Sequence, residues 1–296
     1  MGGKHKSQMA NHNPATGILF MLLGTVLYTT TDALSKWLVA HYPLGQVLLL
    51  RSVTGLLLIF LAALVTGQTA QLYTARPSWH LLRSAISATL LVGMFYSIKH
   101  IPLAEFVSIV FASPFFIAIL SPWLLGEPVS RHTWIAIACG FIGILLVTRP
   151  TPDHFQIAHL VMLGVAMLVA LLVLTARRLA ATESAYALNF YLYPVTLVIF
   201  CRWAAAEWTP PTATGWLLFL ALGCSATAAL GCTIQAVRHA RPAIVAPIDY
   251  VRMIWVILIG YFIWDEVPGP LTWAGILIIV ISGIYIVRHR GTVPEA

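Results

Sequence analysis

Charge is what this sequence has least of. Only 9% of its 296 residues are Asp, Glu, Lys or Arg, against roughly 25% in a soluble domain, too few to cover a water-facing surface. Hydrophobic residues make up 59% instead, and the mean hydropathy is +0.87. That is the composition of an integral membrane protein. The net charge of +7 comes from basic residues strung singly between apolar runs. Nucleic-acid binding needs a basic face or groove, and none is present.

Other absences narrow the function. Cys139, Cys201, Cys224 and Cys232 all lie inside apolar runs with no CxxC spacing, so neither a disulfide framework nor structural zinc is expected, and they read as small core residues. There is no GxxxxGK[ST] loop for ATP hydrolysis. There is also no HExxH, GxSxG or Asp-rich pair for a protease, lipase or prenyltransferase. The ten histidines fall in tails, loops or span ends, so an imidazole-lined metal path lacks ligands. No cofactor is expected.

What is there is a succession of apolar segments. A spanning helix needs about 20 mostly apolar residues, and ten segments qualify: 16–38, 45–66, 79–98, 103–124, 132–148, 157–176, 187–206, 215–236, 243–264 and 271–287. The connections are short and rich in Pro, with no room for a soluble domain. Residues 1–15 and 289–296 read as polar tails; no cleavage site follows the first apolar run, so the N-terminal segment is expected to stay attached. With the N-terminus in the cytoplasm, that side receives Lys4, Lys6, Arg76, Arg83, Arg131, Arg177, Arg178, Arg238, Arg241, Arg288 and Arg290. The outside receives only Lys36, Lys99, Arg149 and Arg202. Both termini are therefore expected inside.

The chain repeats itself. EPVSRHTWIAIACGFIGILLVTR from Glu127 aligns with EVPGPLTWAGILIIVISGIYIVRHR from Glu266, matching Glu127 with Glu266, Thr133 with Thr272, Trp134 with Trp273 and Arg149 with Arg288. Two halves follow, 16–149 and 150–288. Five spans in each, an odd number, place the second half upside down relative to the first, which is how secondary transporters build one site between two rocking halves.

Candidate site residues are the charges left inside spans, which are costly there and functional by default. Asp249 and Arg252 lie near the middle of PAIVAPIDYVRMIWVILIGYFIWDE, residues 242–266. Residues three apart share a helix face, so the two are expected to neutralise each other while Trp255 continues the stripe, as a substrate site or as an internally satisfied pair. Tyr28, Asp32 and Lys36 recur every four residues. Asp32 is the candidate for binding or proton exchange, and Lys36 either joins it or snorkels to the surface. Arg51 needs an anion, with Asp32 and Glu105 as suitors, while Glu105 itself reads as interfacial. Tyr96, Tyr191, Tyr193, Tyr250 and Trp255 are candidate aromatic walls. Pro114, Pro194 and Pro247 are expected to interrupt their helices, and Ala136, Gly140 and Gly143 read as close helix packing.

These residues give the chain a resemblance to the drug/metabolite transporter superfamily, and within it to the bacterial EamA-type carriers. The resemblance is carried by TDALSKWL (31–38), Arg51, PLAEFVSIVFASPFF (102–116), GEPVSRHTWIAIACGFIGILL (126–146) and APIDYVRMIW (246–255). It implies an all-α membrane fold of ten helices in two inverted five-helix repeats, with a central cavity formed by the first four spans of each half. It also implies a bacterial inner-membrane location. Carriers of this kind move amino acids, cysteine-pathway metabolites, S-adenosylmethionine, riboflavin or opine-type metallophores.

Together these readings lead to the expectation of a secondary carrier, not an enzyme, for a small polar or zwitterionic metabolite. Arg51 and Arg252 would hold a carboxylate, Asp32 or Asp249 an amino group or proton, and Trp255 with nearby tyrosines the apolar part. Export is favoured over import of a nucleoside- or vitamin-like solute; the competing class is a membrane enzyme or assembly subunit. The expected partners are the solute and the bilayer, with homodimerisation left open.

Overall fold

In a computed structural model that describes residues 14–126, 130–149, 151, 155–180, 182–240 and 242–289, every regular element is helical. In chain order these are α1 (Pro14–His41), α2 (Leu44–Val65), α3 (Pro77–His100), α4 (Leu103–Val110), α5 (Ser113–Leu125), α6 (Arg131–Thr148) and α7 (Ile157–Leu179). There follow α8 (Ala185–Phe190), α9 (Tyr193–Ala206), α10 (Ala213–His239), α11 (Pro242–Val245), α12 (Arg252–Trp264) and α13 (Pro270–His289). Two 3-10 segments, Thr69–Leu72 and Ala246–Val251, precede α3 and α12. Helix is the expected answer for so apolar a chain, because in lipid each backbone N–H and C=O must find its partner within the segment.

Grouping α4 with α5, α8 with α9, and α11 with the 3-10 segment and α12 gives ten spans. Nine of them, among the described residues, are at least 18 residues long and apolar enough to cross a bilayer, and α13 is a shorter apolar helix. The breaks fall where proline dictates. Its ring excludes the carbonyl four residues earlier and leaves it without a helical N–H. Accordingly α4 ends at Val110, four before Pro114, and α8 ends at Phe190, four before Pro194. Pro247 sits in the first turn of the 3-10 segment.

The groups freed at one break are claimed by a neighbouring helix. Ser84 of α3 donates to the Leu192 carbonyl and accepts from the Val195 N–H, both at 3.0 Å. Arg83, expected at the cytoplasmic end of its span, is buried, and its guanidinium donates to Thr175 Oγ1 at 2.8 Å, Leu172 O at 2.7 Å and Leu188 O at 3.4 Å. Its length lets it reach inward from the first turns of α3 and tie α3 to α7 and α8.

Which spans touch reveals the internal two-fold. α1 packs on α10, as α7 packs on α3; α10 packs on α2, as α3 packs on α9; α1 meets α12, as α7 meets α5. The pairs α2 with α9 and α6 with α13 map onto themselves when the halves are exchanged, and α4 packs on α12 between them. The repeat-matched residues behave alike. Thr133 and Thr272 are 6% and 1% exposed, whereas Trp134 and Trp273 are 49% and 44% exposed. Arg149 donates across the repeat to Thr272 Oγ1 at 2.8 Å. Glu127 lies outside the described residues, as does the side chain of Arg288.

The small residues of α6 do what was expected of them. Gly140 accommodates the Phe115 ring. Gly143 faces Gly275 of α13 so closely that a Cβ at 275 would lie 2.5 Å from the Gly143 carbonyl oxygen. The cysteines do not form a core: Cys139 and Cys201 are exposed on the apolar perimeter and Cys224 and Cys232 half-buried, all four free.

The α6–α13 seam yields a prediction. Gly275→Ala must push two backbones apart and is expected to cost about 1–3 kcal/mol. Gly164→Ala, where a Cβ meets nothing within 4 Å, should be neutral or stabilise by up to about 1 kcal/mol. Unfolding of the two variants in detergent, followed against the parent, checks both.

Candidate functional site

The centre of the protein is an ion pair between the two halves. Arg252, the first residue of α12, donates through Nη2 to Asp32 Oδ2 of α1. The two residues are 7% and 4% exposed, so each charge depends on the other for compensation. The α1 hydroxyls beside Asp32 are otherwise engaged. Thr31 donates to Leu27 O at 2.9 Å and approaches Ser225 Oγ at 3.0 Å, and Ser35 donates to Thr31 O at 2.7 Å.

Beside the pair lies a small cavity of about 30 Å³, lined by polar Thr31, Asp32, Ser35 and Arg51 and by an apolar wall that includes Phe95 and Phe106. It is close to the share of liquid volume held by one water. Arg51 enters from α2 with its guanidinium carbon 5.8 Å from the Phe95 ring centroid. It forms no ion pair among the described residues, and its buried Nε has no hydrogen-bond partner. The Nε of Arg252 and the Nε1 of Trp255 are likewise buried without partners. Tyr28 stacks under Arg252, ring centroid to guanidinium carbon 5.2 Å. Tyr193, at the first turn of α9, passes α2 at Gly55, where a Cβ would lie 2.5 Å from the phenol oxygen.

Several sequence expectations are corrected here. Asp249 and Arg252 form no contact ion pair: Arg252 turns to Asp32, and Asp249, in no ion pair among the described residues, feels the Arg252 charge only at longer range. The expected pairing assumed a continuous α-helix, whereas Asp249 belongs to the tighter 3-10 segment that Pro247 initiates. Lys36 joins neither Asp32 nor the surface but forms a partly buried pair with Glu266. Neither suitor proposed for Arg51 pairs with it: Asp32 is taken by Arg252, and Glu105 is buried against His159, with Nε2 and Oε2 3.0 Å apart. Tyr250 packs on Phe111, centroids 4.8 Å apart, and against Gly283 of α13. Tyr96 lies 4.4 Å from the His100 ring and Tyr191 4.8 Å from the His80 ring; none of these three tyrosines lines the cavity.

Polar contacts between the halves close both ends around this centre. At one end, Glu266 receives Lys36 and also the Leu103 N–H at 2.7 Å, so one carboxylate joins α1, the start of α4 and the α12–α13 turn. Gln46 and Thr209 exchange two hydrogen bonds, at 2.8 and 3.0 Å. At the opposite end Glu183 meets His80 Nε2 and the Ala75 N–H, both at 3.3 Å. Burial works to raise the pKa of Glu183, but hydrogen bonds from Thr74, His80 and Ala75 outweigh it and hold the carboxyl below the usual glutamate range. Sequence reasoning passed over Glu266, His159 and Glu183 because each partner is remote in sequence.

Two inverted halves sharing a buried, charged centre define the architecture of a secondary transporter. Residues 15–149 and 156–288 each match the EamA-like transporter family, and the chain belongs to that family. It is 29% identical to the pseudopaline exporter of Pseudomonas aeruginosa over 93% of this chain and 97% of that one. It is 25% identical to the riboflavin transporter of Vibrio cholerae, over 94% of each chain. It is also 26% identical to the S-adenosylmethionine uptake transporter of Rickettsia bellii, over 92% of this chain and 93% of that one. A crystallised protein of 17% identity superposes with a TM-score of 0.66 over 94% of this chain, a likeness of fold.

Breaking the central pair should be costly. Asp32→Asn or Arg252→Gln leaves one buried charge uncompensated and is expected to destabilise by about 3–5 kcal/mol. The double variant should lose less than the sum, with a coupling of about 1–3 kcal/mol, as a double-mutant cycle in detergent would measure.

Proposed function

We propose that this protein is a secondary carrier of the bacterial inner membrane that moves a small zwitterionic metabolite, amino-acid-derived and extending to opine-type metallophores, by alternating access. The observation that carries this reading is the cluster of Arg51, Arg252, Asp32 and Asp249 at the membrane centre. With all four ionised their charges cancel, yet among the described residues Arg51 and Asp249 make no contact ion pair, and the buried Nε of Arg51, Nε of Arg252 and Nε1 of Trp255 have no acceptor. Charges and N–H groups inside a membrane span are costly when incompletely satisfied, and a ligand bearing both a carboxylate and an ammonium would satisfy them. Arg51 and Arg252 hold the carboxylate, Asp249 or Asp32 takes the amino group or a proton, and Trp255 flanks the apolar part. With about 30 Å³ of free space at the centre, an organic solute needs one end to part first, at the Lys36–Glu266 contacts or at the Glu183–His80 contacts. The carrier is read as having both termini in the cytoplasm.

Export is favoured, and the similarity to the pseudopaline exporter supports it. The similarity to uptake carriers for S-adenosylmethionine supports the opposite direction for a nucleoside-like solute. Comparing metabolites inside and outside cells with and without the protein decides between them: an exporter depletes its solute from the cytoplasm, an importer enriches it. Arg252→Ala is expected to abolish the difference while the protein still reaches the membrane, and unchanged transport would remove Arg252 from the site. Asp32→Asn is expected to lose the pH dependence of transport; an intact pH profile would end the idea of proton coupling at Asp32.

A further inference from the structure

A second cavity lies away from the central charges, between α2, α8 and α10. Its volume is about 210 Å³. Its lining changes character along the helix axis. Leu58 and Ile59 of α2 with Leu230 and Ile234 of α10 form an apolar wall, and Gln235 and Arg238 stand at its outer limit in the last turns of α10. The deeper polar member, Thr227, is already satisfied, donating to Gly223 O at 2.9 Å. At the rim the Tyr186 hydroxyl meets Thr66 Oγ1, 3.1 Å away, just past the end of α2.

From Thr227 to Arg238 is eleven residues, about 16 Å of helix, close to half the roughly 30 Å hydrocarbon thickness. Arg238 is exposed and in no ion pair among the described residues. The flanking surface, including Leu57, Leu61 and Val237, is exposed and apolar, which at this depth means facing lipid. An unpaired cation at the interface above an apolar slot one leaflet deep matches the polarity of a membrane lipid with an anionic head. A small zwitterion would need charged partners at depth, where this cleft offers only Thr227 and Asn189, each already donating to a backbone carbonyl. The larger groove of about 540 Å³ between α6 and α13 is lined chiefly by Ile135, Ile142, Ile278 and Ile281, and among the described residues no Lys or Arg lines it.

We propose that the α2–α8–α10 cleft binds an anionic phospholipid, with Arg238 on the phosphate, Gln235 and Tyr186 beside the headgroup, and an acyl chain along Leu58, Ile59, Leu230 and Ile234. The occupant braces α10 against α2 and α8 across the boundary between the two halves of the chain.

Native mass spectrometry of the full chain in a neutral detergent, titrated with phosphatidylglycerol or phosphatidylcholine, tests this. The intact protein should retain phosphatidylglycerol roughly tenfold more tightly, the factor expected of one charge-assisted hydrogen bond. Arg238→Gln should erase the preference, Arg238→Lys should keep most of it, and Leu230→Trp, which fills the slot, should weaken both lipids. Lys99→Gln, an exposed cation outside the cleft, should change nothing. Equal retention of the two lipids by the intact protein, or a preference that survives Arg238→Gln, would overturn the proposal. So would displacement of the lipid by inorganic phosphate at comparable concentration, which would mark a free-phosphate site instead.

Discussion

An arginine in the middle of a bilayer has to be answered by something, and in this protein the answer comes from the other half of the chain. Arg252 begins α12 in the second repeat, and Asp32 sits about two thirds of the way along α1 in the first. Insertion scales put the cost of either charge alone near 3 kcal/mol, and simulations put it higher. The pair therefore does more than stabilise one helix contact: it requires the two repeats to meet face to face at one level, and the rest of the bundle is arranged around that meeting.

The arrangement is a two-fold one with polar contacts at each end. Glu266, with Lys36 and the start of α4, draws one end together; Glu183, with His80 and Ala75, draws the other. The helices interrupted at Pro114, Pro194 and Pro247 lie between these ends, where backbone can bend because other protein groups cover what proline frees. Ser84 supplies such cover for α8 and α9. Seams such as Gly143 against Gly275 are held too closely to flex. Motion is thus expected to concentrate at the hydrogen-bonded ends and the interrupted spans, with the α6–α13 pair as a stiff support.

Much of this was legible in the residues. Apolar run length located the spans, proline located the breaks, and the matched TW and Arg positions located the repeat. The pairing of charges was not legible. Helical spacing says which side chains share a face of one helix, and on that basis Asp249 is expected to meet Arg252, and Lys36 either to join Asp32 or to snorkel. Which face meets which helix is settled by packing between segments some 220 residues apart, as with Asp32 and Arg252, and no local period encodes it. Tyr250 misled for the same reason: one residue from Asp249, it turns instead to Gly283 and Phe111. Arg83 was counted as a topology signal because its position near a span end resembled one, although its guanidinium is used inside the bundle.

Alternating access requires the Asp32–Arg252 level to open to each side of the membrane in turn. Its most direct test is thiol accessibility in a chain whose native cysteines have been replaced, with Asp249→Cys, Arg252→Cys or Trp255→Cys introduced singly. A membrane-impermeant thiol reagent should label these positions from one side at a time, with the favoured side reversing when the solute gradient is reversed. Positions inert from both sides would show a dry packing contact and contradict the account; simultaneous labelling from both sides would show a continuous pore and contradict it equally.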